Sequence, residues 1–233
     1  YLYGNLSDIS DPFLMKGVRE GVDIIREKIR DRKTIRIISD YDVDGVVSNY
    51  ILWKAIYDLG GMIDFQIPDR MKDGYGINER LIQQAYDQGV DTIVTCDNGI
   101  AAIKQIEYAK ELGMTVVVTD HHEVVFEENN GKKEYILPMA DAIVNHKQKD
   151  CQYPFKELCG AMVAFQFMRA LFENMHVSER FILKLLPYGA MATVCDVVEL
   201  KGENRIIVKE GLEALKINKD IGINALINQC KLN

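Results

Sequence analysis

Three short runs of β-branched and apolar residues stand out from the polar background of this chain: Thr34–Ser39, Asp91–Cys96 and Met114–Thr119. Near-continuous apolar character over such short runs predicts strands buried on both faces of a parallel sheet. Between and after them, apolar residues recur at helical spacing in Val46–Tyr57, Ile77–Gly89 and Ile100–Gly113, the last two closed by a glycine. The order is β-α-β-α-β-α-β, which predicts an α/β fold with a parallel sheet flanked by helices. After about Asp150 the pattern turns mostly helical, in Leu158–Phe172, Phe181–Leu186 and Glu203–Ile217. Residues 1–150 are expected to form the α/β core and residues 151–233 a helical extension of the same domain.

Each predicted strand runs straight into acidic residues: Asp40-Tyr41-Asp42-Val43-Asp44-Gly45, then Asp97-Asn98-Gly99, then Asp120-His121-His122-Glu123. In an open parallel sheet, loops at the carboxyl ends of the strands converge on one crevice. Three separate turns have no structural need to be acidic at the same rim. Anions so close repel and raise one another's pKa unless a cation sits among them, so the pattern predicts a divalent metal site. A calcium loop of the EF-hand kind also opens Asp-x-Asp-x-Asp-Gly, but it needs a bidentate Glu at its twelfth position, and counting from Asp40 reaches Ile51. Adjacent residues of extended chain point to opposite sides. His121 is therefore expected to ligate, and His122 to face substrate or a supporting carboxylate. His146 and His176, which stand alone, read as structural or surface residues.

These motifs, in this order and each after a strand, resemble the first three motifs of the DHH phosphoesterase superfamily. Ile143–Lys147, Tyr153–Lys156, Leu158–Phe165, Ala192–Val198 and Gly202–Arg205 resemble its RecJ branch in particular, with Asp196 matching the fourth motif. His146 departs from the family pattern, which usually has Pro there, as do Ser39 and Asn49, where Gly and Thr are commoner. The resemblance implies a 5′→3′ exonuclease specific for single-stranded DNA, acting in repair and recombination with two Mn²⁺ or Mg²⁺ ions. It implies that Asp42 and Asp40 serve one ion, that Asp44, His121 and Asp196 serve the other, and that Asp97 bridges them. Carboxylates with a minority of imidazole suit these metals, and a bridged pair about 3.5–4 Å apart is the arrangement used for phosphodiester hydrolysis. His122 and Asp97 are the expected catalytic residues, and Arg70, Tyr75, Asn98 and His122 the expected substrate contacts. Tyr75 is expected to stack on a base. Single-stranded DNA is the expected partner, with a single-strand-binding protein or a helicase as candidate protein partners. The resemblance further implies a second C-terminal domain beyond Asn233, so a chain running from Tyr1 to Asn233 reads as an excised catalytic core.

Composition adjusts this picture. A chain of 233 residues, 48% hydrophobic, can bury a full core. Its net charge of −7 is unlike the basic footprint of a free-standing nucleic-acid binder. The grip of the chain on a single strand is thus expected to rest on few phosphate contacts, with a shallow salt dependence; Arg70, Lys72 and Lys147 are local basic residues. Five cysteines without Cys-x-x-Cys spacing fit a reducing cytoplasm, with Cys96 and Cys195 expected to turn into the core. No run reaches the ~20 apolar residues of a membrane span, and the charged N-terminal stretch is not a signal peptide. Two alternative readings remain: a DHH phosphoesterase acting on short oligonucleotides or cyclic dinucleotides, and an inactive interaction module of the same fold. An inactive module would be expected to have lost ligands, and here every expected one is present.

Overall fold

The computed structural model describes residues 4–129, 131–216 and 220–231. The chain enters through two short 3₁₀ turns and α1 (Val18–Arg30), then alternates: β1 (Thr34–Ser39), α2 (Val43–Asp58), β2 (Met62–Gln66), α3 (Glu79–Asp87), β3 (Thr92–Cys96), α4 (Ile103–Glu111) and β4 (Thr115–Thr119). An antiparallel hairpin of β5 (Phe126–Asn129) and β6 (Lys132–Tyr135) leads to β7 (Ala142–Val144). Helices α5 (Gly160–Asn174), α6 (Leu186–Cys195), α7 (Gly202–Lys216) and α8 (Ile221–Gln229) complete the fold, with a 3₁₀ segment, Glu179–Leu185, running directly into α6. The expected helix end at Ile217 lies outside the described residues.

The main sheet is parallel throughout, in the order β2-β1-β3-β4-β7. Strand β1 sends its crossover to one side, towards β2, and the chain then returns to the other side as β3, so the switch of direction falls between β1 and β3. Alternation along the strands divides the core. Ile35, Ile37, Val94, Val117 and Val144 face a cluster with α1, α2 and α5. Ile38, Ile93, Val116 and Val118 face a second cluster with α3 and α4. Helix α5 is buried at every position except Arg169, Glu173 and Asn174, as a helix enclosed by neighbours must be. Residues on both sides of position 150 therefore share one core.

The strand run that the alternating pattern required but did not locate is β2. It is an edge strand with half-exposed residues, so its apolar signal is weak. The hairpin was not expected either, since every residue of its two strands is exposed. Cys96 is buried as expected, but Cys195 is exposed. It closes a helix, where the alternation of a strand does not apply.

His146 is a structural residue. Its ring Nε2 donates to the Lys156 carbonyl at 2.9 Å, and the Lys156 ammonium donates back to the His146 carbonyl at 2.6 Å. Burial pushes its pKa down to about 3 from an ordinary 6.5, so it folds neutral. Between those values the unfolded chain binds the extra proton, so this residue's contribution to stability falls as pH drops below about 6.5. We expect the parent to lose stability relative to His146→Gln over that window, by up to roughly 3–5 kcal/mol, in urea unfolding at stepped pH.

Candidate metal centre

The sheet register explains why the acids meet. Ser39 pairs with Cys96, Cys96 with Thr119, and Thr119 with Val144, so four strands end level. The next residue on each is Asp40, Asp97, Asp120 or Asn145, forming a single polar row that flanks the switch between β1 and β3. Asp97 has a left-handed backbone (φ 59°), which turns the chain sharply out of β3.

From β1 the chain turns into α2 with Asp42 as its N-cap, accepting from the Gly45 amide at 2.9 Å. Gly45 is required here, because a Cβ would lie 2.6 Å from the Asp40 carbonyl oxygen. Asp44, in the first turn, faces the N-terminus of α5 and accepts from the Gly160 amide at 2.6 Å and the Ala161 amide at 2.9 Å. Asp196, at the C-terminal cap of α6, reaches the same crevice. His121 joins the groups: its Nε2 is 3.1 Å from Asp97 and 3.7 Å from Asp44, and its Nδ1 is 4.0 Å from Asp196.

Two ligand sets result. Asp40, Asp42 and Asp97 form one and Asp44, His121 and Asp196 the other, each with donor atoms within 4.8 Å of one another. A third grouping, Asp97, His121 and His122, meets the same distance. The donor set fits a divalent cation on its own electrostatics. Asp40 Oδ1 and Asp97 Oδ1 are buried without a hydrogen-bond partner, and 3.1 Å from His121 the latter still lacks hydrogen-bond geometry. Orphaned carboxylate oxygens are costly unless a cation satisfies them. Burial, then the charges of Asp44, Asp42 and Asp120, push Asp97 up to about 10. Burial also raises Asp40 and Asp196, the second with help from Asp44. Asp97 would surrender a proton to bind metal.

His122 belongs to a separate unit. Asp120, fully buried, accepts from the His121 and His122 amides, from the Ile100 amide at 2.9 Å and from His122 Nδ1 at 2.7 Å. Burial alone would raise Asp120, but the His122 bond and these amides hold it below the usual range, and Asp120 in turn raises His122. The opposite ring nitrogen of His122 lies 3.4 Å from the Tyr75 hydroxyl, which donates to the Asp97 carbonyl. Arg70 sits over the Tyr41 ring at 5.5 Å, beside the same crevice. Lys147 is paired with Glu123 at 3.2 Å.

Asn98, expected to contact substrate, is engaged within the protein. The Asn98 amide donates to the Ile38 and Cys96 carbonyls, and its oxygen accepts from the Ile77 amide. Both ends of this buried side chain are spent on bracing the loop, so Asn98 holds the site together from beneath. Asp120 and the Gly160–Ala161 amides were not among the site residues expected from the sequence. A buried Asp at the end of a strand is a signal that could have found the first; the second depends on a contact between residues 116 positions apart. The unusual pair Ser39 and Asn49 also acquires a reason: Asn49 donates to the Ser39 hydroxyl at 3.1 Å, so the two departures from the family pattern answer each other.

A Cβ at Gly160 would lie 2.9 Å from both Asp44 Oδ2 and Asp97 Oδ1. Gly160→Ala is therefore expected to push one carboxylate aside and to weaken cation affinity by about tenfold or more, with the fold retained. Calorimetric titration with Mn²⁺ and thermal unfolding in chelator would check both halves.

The "DHH family, N-terminal domain" profile matches residues 34–190, and the chain belongs to the DHH family. Within that class it is similar to the single-stranded-DNA-specific exonuclease RecJ. It is 40% identical over 227 residues to the Bacillus subtilis protein, covering 97% of this chain and 27% of the relative. It is 35% identical over 224 residues to that of Escherichia coli, covering 91% and 37%. A crystal structure of exonuclease RecJ bound to manganese superposes with a TM-score of 0.80 at 30% identity, over 92% of this chain and 52% of that one. The chain thus spans about a third of the length of these two curated relatives. Among the described residues no helix is long and apolar enough to cross a membrane.

Proposed function

We propose that this chain hydrolyses phosphodiester bonds at the 5′ end of single-stranded DNA, as a two-cation exonuclease of RecJ type in repair and recombination. The observation that carries the reading is the level ending of the strands, which brings Asp40, Asp97 and the Asp120–His122 turn to one rim, where Asp42, Asp44 and Asp196 meet them from helix ends. The RecJ relatives and the manganese-bound neighbour support the substrate and the metal. Asp40, Asp42 and Asp97 would hold one ion and Asp44, His121 and Asp196 the other, with Asp97, whose Oδ1 lies 3.1 Å from His121, shared between them. Bound there, Mn²⁺ or Mg²⁺ supplies charge neutralisation for the phosphate and acidifies water for attack.

The protein's own groups do the rest. The Gly160 and Ala161 amides fix Asp44. Asp120 orients His122, keeping a proton on Nδ1, and the raised pKa lets Nε2 carry a second proton towards a phosphate oxygen or the leaving group. Tyr75 and Arg70 flank the place where the terminal nucleotide would lie, one as an aromatic face and the other as a cation. A cytoplasmic setting belongs to the same reading, supported by five free cysteines. A single-strand-binding protein or a helicase would be the partner that delivers a strand.

The test is digestion of 5′- and 3′-labelled single strands with Mn²⁺, with Mg²⁺ and in chelator, with dinucleotides alongside. We expect cation-dependent release of the 5′ label first. Cleavage of dinucleotides alone would move the assignment to a short-oligonucleotide phosphoesterase, and inertness with every cation would point to an interaction module.

A further inference from the structure

Apart from the carboxylate centre, α2, the Glu179–Leu185 segment, the start of α6, Ala214 of α7 and Asp220 line an open cavity of about 650 Å³. Its walls carry Tyr50, Lys54, Arg180, Lys184, Tyr188 and Asp220. In a chain of net charge −7, three cations against one acid run counter to the overall balance. That acid, Asp220, is engaged by the Tyr188 hydroxyl, and Lys54 is held by Asp58. Arg180 and Lys184 form no ion pair among the described residues. Both sit on the Phe181 ring, at 5.1 and 5.2 Å, while Glu179 beside them pairs with Arg169.

The aromatic complement is equally dense. Tyr50 and Tyr188 contact ring to ring at 4.7 Å, and one turn along α2 Trp53 stacks on the exposed Tyr57 at 5.2 Å and 13°. Arg180 and Lys184, which no carboxylate among the described residues neutralises, attract an anion, and the Tyr50 and Tyr188 rings that line the same cavity offer a base an aromatic wall; together they select a nucleoside phosphate. The position agrees. Helices α2 and α6 carry Asp44 and Asp196 at the ends that reach the metal centre, and at 1.5 Å per residue Tyr50 and Tyr188 lie about 9 and 12 Å along them.

We propose that this cavity is a second strand subsite, which takes one nucleoside phosphate of the single strand whose end lies at the metal centre. It rests on the reading of that strand as substrate. Through it the chain holds DNA at a point remote from the bond cleaved, despite an acidic surface.

The experiment measures binding in chelator, where nothing is hydrolysed. Probes are a short fluorescent oligo(dT) strand, free dTMP and inorganic phosphate, read by anisotropy or by emission of Trp53, the sole tryptophan. Variants are Arg180→Glu with Lys184→Glu, and the milder pair Arg180→Gln with Lys184→Gln, each checked by thermal unfolding. We expect strand affinity to fall roughly twentyfold at about 0.1 M salt in the glutamine pair, and the log–log salt slope to flatten by about 1.4, since each lost contact to a single strand removes about 0.7. Trp53 quenching by the strand, or by dTMP, that the variants lose supports the subsite and shows which source of nucleotide fills it. A response to inorganic phosphate alone, or equal affinity and slope in parent and variants, overturns it. Cation-dependent cleavage by the parent is scored separately, so loss of the subsite and loss of the exonuclease reading are told apart.

Discussion

Asp97→Ala is expected to abolish hydrolysis, by at least about a thousandfold, and to lower cation occupancy in the same step. Asp97 is shared by two of the three possible ligand groupings, so its removal leaves neither of those sets complete. The isosteric Asp97→Asn separates charge from shape. Without a cation, burial and the charges of Asp44, Asp42 and Asp120 push Asp97 up to about 10. A carboxyl whose folded pKa is raised stabilises the fold below its unfolded pKa and loses that contribution as pH rises towards the folded value. In chelator, therefore, Asp97→Asn should gain stability on the parent steadily from about pH 5 to pH 9. With cation present the order should reverse, because the parent gains more binding energy than a variant left with the Asp44, His121 and Asp196 grouping alone. Thermal unfolding with and without Mn²⁺ decides it. A variant that stays as cation-stabilised as the parent would remove Asp97 from the centre.

The elements that carry these acidic residues were legible because a central strand of a parallel sheet is apolar throughout, and the motif begins where that character stops. Asp40, Asp97 and Asp120 each follow such a run, and their placement in a row needed only the rule that parallel strands end at one rim. Where a segment is half-exposed, the same signal fades: β2 at the sheet edge and the β5–β6 hairpin went unassigned. Contacts that depend on a long loop closure were invisible for a different reason. Nothing near Gly160 announces that its amide binds Asp44, and nothing near Arg180 announces that it shares a cavity with Tyr50. The motif position of Asn98 suggested a substrate contact but did not announce that its two-ended amide ties three backbone groups together.

His122→Ala is expected to slow hydrolysis about a hundredfold to a thousandfold while leaving cation binding intact. Its ring faces Asp120 on one side and Tyr75 on the other, outside the two sets centred on Asp97 and His121. Calorimetry with Mn²⁺ would check the binding half. Loss of a cation would make His122 a ligand, as the grouping of Asp97, His121 and His122 permits. Asp120→Asn tests the same unit from below. Both Asp120 oxygens accept from N–H groups, so an amide must turn its NH₂ towards a donor whichever way it sits, at a cost of about 1–3 kcal/mol. Because Asp120 is what raises the His122 pKa, the variant should also lower it, and the limb of the pH–rate profile set by the protonated ring should move to lower pH. If NMR titration shows His122 ionising at the same pH in both proteins, Asp120 does not hold that proton, and the role assigned to His122 falls with it.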